Sequence, residues 1–251
     1  MKVELISRTP EEIVFSVSGV KPQFVNSLRR CVFEVPALAV EKVTVFANDT
    51  PLFNEVLAHR LGLVPFKFPE EMNFREECSC KGKGCSLCEV FMVIDRTGPC
   101  VVRASDIKIS NDEVKPAYPD IPIAELPEGG RLKLEAVAVL GTARQHAKWQ
   151  VGLAYYRNLP VLKEAPEKPE RFLNVCPKNS LKAGGKVSVD ISCDLCGECR
   201  KAGFRVEPKE DSFVFTAESF GVYEPEKLVI KSLDVLEKKV KEFKSGLKAR
   251  G

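Results

Sequence analysis

Two runs of cysteine carry most of the chemistry this chain could do. The first, CSCKGKGCSLC, sets Cys78, Cys80, Cys85 and Cys88 in one loop-sized stretch. Two close thiols, a Gly/Lys turn and a second close pair can surround one ion tetrahedrally. Soft thiolates select zinc, and four of them leave no open position for a substrate, so such an ion would be structural. Two disulfides, four free thiols or an iron–sulfur cluster are the alternatives. Lys81 and Lys83 would offset part of the thiolate charge. The loop has few apolar residues of its own, so a bound ion would supply its folding energy.

The second run, SCDLCGEC, spaces Cys193, Cys196 and Cys199 two residues apart, with a Cys176-Pro177 pair upstream. In the bacterial ferredoxin pattern such a triplet ligates one cube, and a remote cysteine followed by proline completes it. Gly197 lets the loop wrap closely around an inorganic core. A second cluster would need a cysteine where Gly203 stands, and another triplet where the chain reads PEKPERFLN. One cluster is therefore expected, of four irons or three, with a second zinc as the alternative. The surrounding segment is too small for a hydrophobic core, so the cluster reads first as a staple.

Other catalytic equipment is missing. His59 and His146 have no Ser/Asp or Cys partner close in sequence. No phosphate-binding glycine loop occurs, since Gly82 and Gly84 belong to the cysteine loop and Gly184-Gly185 reads as a turn. No acidic run of the magnesium-binding DxD type is present. No catalytic site is expected within this chain.

The 251 residues, 44% hydrophobic and 29% charged, suit a globular protein of one large domain or a few small ones. A net charge of +3 is too small to predict a nucleic-acid-coating surface. No stretch approaches a membrane span, and the opening MKVELISRTPEEIVFSV reads as strand, not signal peptide. A cytoplasmic location is expected, where clustered cysteines bind metal more readily than they pair.

The elements that must position these cysteines are mixed. Residues 3–17 read as two strands about Thr9-Pro10. Phe24, Val25, Leu28, Cys31, Val32 and Val35 recur at helical spacing before Pro36. Ala39–Phe46 alternates as a strand, and a short helix follows with Val56, Leu57, Leu61 and Leu63 on its apolar side. Residues 116–130, rich in Pro and Gly, read as loop. LKLEAVAVLGTARQHAKWQVGLAYYR and SFVFTAESFG return to strands, with Phe213 and Phe215 on one face. The C-terminal KLVIKSLDVLEKKVKEFKSG is a long amphipathic helix. Its Val229, Leu233, Leu236, Val240 and Phe243 form a narrow seam suited to a partner helix.

Several stretches together resemble one family. VNSLRRCVFEVPALAVEKVTVFANDTPLFNEVLAHRLGLVPF, GTARQHAKWQ and FVFTAESFG with EKLVIKSLDVLEKK are similar, in order, to the assembly-platform subunits of cellular RNA polymerases. That family includes the archaeal D-type platform protein, the third-largest eukaryotic polymerase II subunit and bacterial alpha, and the archaeal branch is nearest. The resemblance implies an α+β fold with a discontinuous alpha-subunit-type dimerisation domain, residues 1–44 and 213–251. It further implies a strand-rich insert domain, 45–165, holding the cysteine loop 78–88, and a small ferredoxin-like iron–sulfur domain, 166–212. The helices at 22–34 and 226–245 would pack on the smaller subunit L, with Leu28 and Val32 joining the seam. The insert would dock on the second-largest catalytic subunit through Arg29, Arg30, His59, Arg60, His146, Lys148 and Trp149. The largest subunit and small platform subunits would complete the assembly, with no membrane and no sequence-specific DNA contact.

The resemblance thus implies a non-catalytic subunit of DNA-directed RNA polymerase, a nucleotidyltransferase as a complex. A single-cluster ferredoxin-type electron carrier is the alternative, and a zinc-stabilised nucleic-acid module is a third. An electron carrier would devote little chain to a helical seam, and a nucleic-acid module should show a basic stripe with aromatics.

Overall fold

The computed structural model describes residues 1–184 and 186–248. Gly185, the second residue of the expected Gly184-Gly185 turn, lies outside the described residues. The chain divides into two compact units, Met1–Arg30 with Ala154–Glu218, and Cys31–Leu153 with the segment from Ser219 onward. Both mix helix and strand, with strand predominating.

The first unit opens with β1 (Lys2–Arg8) and β2 (Glu12–Ser18), and α1 (Pro22–Cys31) starts within it. The β1–β2 turn closes as expected at Thr9, whose Oγ1 accepts the Glu12 amide at 2.9 Å. The second unit runs through β3 (Ala37–Asn48), α2 (Asn54–Gly62), β4 (Phe66–Lys67), β5 (Glu89–Thr97) and β6 (Cys100–Arg103). It continues with β7 (Lys108–Ile109), β8 (Lys115–Pro116), β9 (Pro122–Leu126) and β10 (Arg131–Gly141). Next along the chain come β11 (Gly152–Glu164), β12 (Leu181–Lys182), β13 (Ser188–Val189), β14 (Arg205–Ser219) and finally α3 (Pro225–Lys248).

In the first unit a four-stranded sheet has the order β1-β2-β14-β11. Alternation places Val17 opposite Phe213 and Phe15 opposite Phe215 across the β2–β14 ladder. The Phe15 and Phe215 rings stack at 5.2 Å, and Tyr156 meets Phe213 edge-on at 5.7 Å. Such cross-strand aromatic pairs stabilise a sheet by roughly 0.2–1 kcal/mol each. Residues 212–217 of β14 are buried on both faces, so the strand is central as well as amphipathic.

In the second unit a six-stranded sheet has the order β7-β5-β10-β3-β4-β8. β10 lies at its heart, antiparallel to both β3 and β5. Leu132, Leu134, Ala136 and Ala138 are buried there, and Leu57 and Leu61 of α2 belong to the same core. Val56 and Leu63, expected on the apolar side of that helix, instead face solvent. The segment 116–130 is not all loop, because β9 within it pairs antiparallel with β6. α3 packs its Leu228 and Ser232 side inward and meets the short 3-10 turn at Val32–Glu34.

Candidate metal centres and partner surface

The loop joining β4 to β5 gathers Cys78, Cys80, Cys85 and Cys88 with all four sulfurs within 4.8 Å of one another. The Cys78–Cys85 and Cys80–Cys88 sulfurs are 3.6 Å apart, and Cys85–Cys88 3.8 Å. All four are free thiols. Ligands about 2.3 Å from a tetrahedral ion stand about 3.8 Å from each other, so the cage fits a single ion. The backbone reaches this shape through left-handed conformations at Lys81, Gly82 and Gly84. The Lys81 amide donates to Cys78 O, and the Cys88 and Glu89 amides donate to Cys85 O, each at 2.9 Å.

The thiols are unequal. Burial pushes Cys88 up to about 12. At Cys80 burial opposes ionisation, but hydrogen bonds from Cys78 and Cys88 and from the Gly84 backbone outweigh it and lower the thiol to about 6. Of Cys80, Cys85 and Cys88, Cys80 is thus the thiol that most readily presents a thiolate.

Two residues that sequence reasoning missed, Glu89 and Arg75, hold this loop together with Gly84. Glu89, directly after Cys88, is 8% exposed, and its Oε1 lies 2.6 Å from Arg75 Nη2. This ion pair lies off the axis of a hydrogen bond, so Oε1 accepts none. Gly84 sits against the same carboxylate. The regular cysteine spacing draws the eye to sulfur, and nothing in periodicity marks an acid that turns inward beside it.

The second set lies in the first unit, among short 3-10 turns at Pro169–Val175 and Glu198–Ala202 and the β12–β13 ribbon. Cys176, Cys193 and Cys199 are buried with Leu181, Phe204 and Val206, while Cys196 is exposed. The Ser180 amide donates to Cys176 Sγ and the Leu195 amide to Cys193 Sγ, both at 3.4 Å. Asn179, Leu195 and Gly197 adopt left-handed backbone to turn the chain around the sulfurs. Burial pushes the Cys193 and Cys199 thiols up, and charge on Cys176 and Cys196 adds to the rise. At Cys176 burial is outweighed by hydrogen bonds from Ser180, Lys178 and Leu181, which bring that thiol down. These four cysteines interact electrostatically yet do not close to the spacing of the first set.

On α3, Val229 and Leu236 are half-buried, while Leu233 is 40%, Val240 59% and Phe243 71% exposed. Ile230 and Leu247 extend the same uncovered apolar surface. The opposite side is tied down by ion pairs, Lys239 to Glu34 at 2.5 Å and Lys227 to Glu70 at 2.6 Å. Leu28 and Val32, expected to join the seam, are instead buried within the chain.

The remaining contact candidates divide. Arg30, His59, Arg60 and His146 are exposed and Arg29 is half-buried, its guanidinium donating to Asn26. Arg60 donates to Pro122 O at 2.6 Å, and His146 Nδ1 caps the Lys148 amide. Lys148 is committed to Glu41 and Val40 O and lies over the Trp149 ring. Trp149 is buried, donates to Val139 O at 3.1 Å and packs flat on Gly141. It is a core residue and not a contact surface. No described helix is long and apolar enough to cross a membrane.

Residues 43–154 match the family described as RNA polymerase Rpb3/RpoA insert domain. Along its whole length the chain is similar to DNA-directed RNA polymerase subunit Rpo3 of Methanothermobacter thermautotrophicus, 39% identical over 96% of this chain and 97% of the relative. It is likewise similar to subunit Rpo3 of Methanopyrus kandleri, 35% identical over 94% and 92%. The Thermoplasma volcanium Rpo3 is 37% identical over 88% and 90%. These relatives leave the electron-carrier alternative without support. The chain belongs to the Rpo3 family of DNA-directed RNA polymerase subunits, the non-catalytic, alpha-type members of a nucleotidyltransferase complex.

Proposed function

We propose that this chain is the assembly platform of its polymerase, pairing with the smaller subunit L through α3 and then receiving the large catalytic subunits. The observation that carries this reading is the uncovered apolar stripe Leu233–Val240–Phe243 on a helix whose other side is already satisfied. An apolar side chain of that size stabilises by roughly 1.5–3 kcal/mol when fully buried, so leaving several in water favours a permanent partner. Arg30, His59, Arg60 and His146 are exposed and suit the second-largest subunit, with the largest and the small platform subunits joining around them. The dimerisation, insert and ferredoxin-like divisions expected from the resemblance belong to the same proposal, as does a cytoplasmic site of action.

Cys78, Cys80, Cys85 and Cys88 would hold one zinc ion. The sulfur spacing supports a single ion, since thiolates on separate irons of a cube stand farther apart. The ion would supply cross-linking of the loop and no chemistry. Cys176, Cys193, Cys196 and Cys199 would hold an iron–sulfur cube, of four irons or three. Their wider grouping and the amides aimed at Cys176 and Cys193 sulfur support that reading. Here too the chain's own contribution is to bind and shield, with the cluster stapling a segment whose core is six buried residues.

Reconstitution of the polymerase from separate subunits tests the platform role. Omitting this chain is expected to leave the two large subunits unassembled. Their assembly into active core without it would overturn the proposal.

A further inference from the structure

A groove of about 770 Å³ opens beside the cysteine loop, between that loop and the turn after β7. Its lining carries four carboxylates, Glu71, Glu89, Asp112 and Glu113, and no lysine or arginine. Arg75, which does not line the groove, pairs with Glu89. Among the described residues the other three are in no ion pair, and all three are exposed. Concentrating unpaired acid in one concavity gives it a negative potential that favours a cationic occupant.

The groove also has apolar walls that are held in place. Phe91 points outward from β5 and is 57% exposed, because its neighbours Val90 and Met92 take the core side. Its backbone is clamped to the opposite turn, the Phe91 amide donating to Ser110 Oγ at 3.1 Å and the Ser110 amide to Phe91 O at 2.9 Å. Leu87, 47% exposed, also lines the groove, and its carbonyl accepts the Asn73 amide at 2.8 Å. The groove thus offers two exposed apolar side chains on hydrogen-bonded backbone, and ordered backbone lowers the entropy lost on binding.

We infer that this groove is a docking site for an extended basic peptide segment, with an apolar side chain seated between Leu87 and Phe91 and flanking Lys or Arg on Glu71, Asp112 and Glu113. A guanidinium or ammonium meets these carboxylates with charge-assisted hydrogen bonds. The apolar walls distinguish such a peptide from a simple polycation, which has nothing to place there. Neither the family membership nor the metal sites require this surface.

Fluorescence anisotropy with the full, metal-loaded chain and a fluorescein-labelled KRLFRK peptide tests the inference. Saturable binding that weakens with rising ionic strength is expected, with EELFEE not binding. The double variant Asp112→Lys with Glu113→Lys, and separately Phe91→Ser, should each weaken KRLFRK by at least about tenfold. Both sites are exposed, so these variants keep the fold, which a matching thermal transition verifies. Absence of saturable binding by the unaltered chain would overturn the inference, as would unchanged affinity in both variants. Equal binding of KRSSRK together with displacement by spermine would mark the groove as a general polycation trap and would overturn it too.

Discussion

A β-carbon placed on Gly84 would stand 2.7 Å from Glu89 Cδ, so only glycine leaves room for the inward-turned carboxylate beside the sulfur cage. Gly84 also sits at φ +88°, a conformation that costs an L-residue roughly 1–2 kcal/mol. The carboxylate cannot swing aside freely, because it is buried and paired with Arg75. Gly84→Ala is therefore expected to loosen the loop and lower its affinity for the proposed zinc ion by about tenfold or more, equivalent to about 1.4 kcal/mol. Competition with a chromogenic chelator measures this, and an unchanged affinity would show that the Gly84–Glu89 packing does not support the cage.

The two cysteine sets lie in different compact units, so the metals proposed for them should be separable. Cys78→Ser should remove zinc and leave the iron content intact, whereas Cys193→Ser should remove iron and leave zinc. Elemental analysis of anaerobically prepared protein reads both. Loss of both metals from either variant would contradict independent sites.

The exposed stripe of α3 predicts substitutions that harm association but not the chain itself. Val240→Asp and Phe243→Asp place a charge where a partner would bury an apolar group, and each should weaken the proposed heterodimer by at least about 2 kcal/mol. The isolated chain should change by no more than about 0.5 kcal/mol, as surface substitutions do. Leu228→Asp, on the buried side, should instead unfold the C-terminal packing. Titration calorimetry and urea unfolding distinguish the two faces.

Glu34 gives the docking of α3 a pH dependence with a definite sign. Burial alone would raise this carboxyl, but hydrogen bonds from Lys239 and Arg144 outweigh it and hold the group below its ordinary value. A carboxyl depressed in the folded state adds stability above its unfolded value of about 4.3, and that stability is lost as pH falls through the folded value. Lys239 and Arg144 remain partly solvated, so the contribution is about 1 kcal/mol. Glu34→Gln should cost about that much at neutral pH and flatten the acid side of the urea-midpoint profile. Equal acid slopes for the two proteins would contradict the assignment.

Local chemistry was legible in the sequence, and long-range packing was not. The grouping of Cys78, Cys80, Cys85 and Cys88 could be read because all four fall in one short loop. The apolar character of the outer side of α3 could be read because helical spacing puts Leu233, Val240 and Phe243 in one phase, and these three are exposed. That spacing does not say which neighbouring phase faces inward, and here Leu228 and Ser232 do. Trp149 sits in a polar stretch, GTARQHAKWQ, and looked like a surface residue. Its ring lies on Gly141 only because β10 and the turn at Ala147–Trp149 meet in space. β9 was hidden by flanking proline and glycine, and its strand character comes from pairing with β6, a partner some twenty residues away. Val56 looked apolar-facing because a nine-residue helix is too short to define its own phase.

Light scattering on the chain mixed with subunit L tests the platform role most directly. A single species with the summed mass of one copy of each is predicted, and Phe243→Asp should return it to separate components. Two unassociated monomers with the unaltered chain would contradict it.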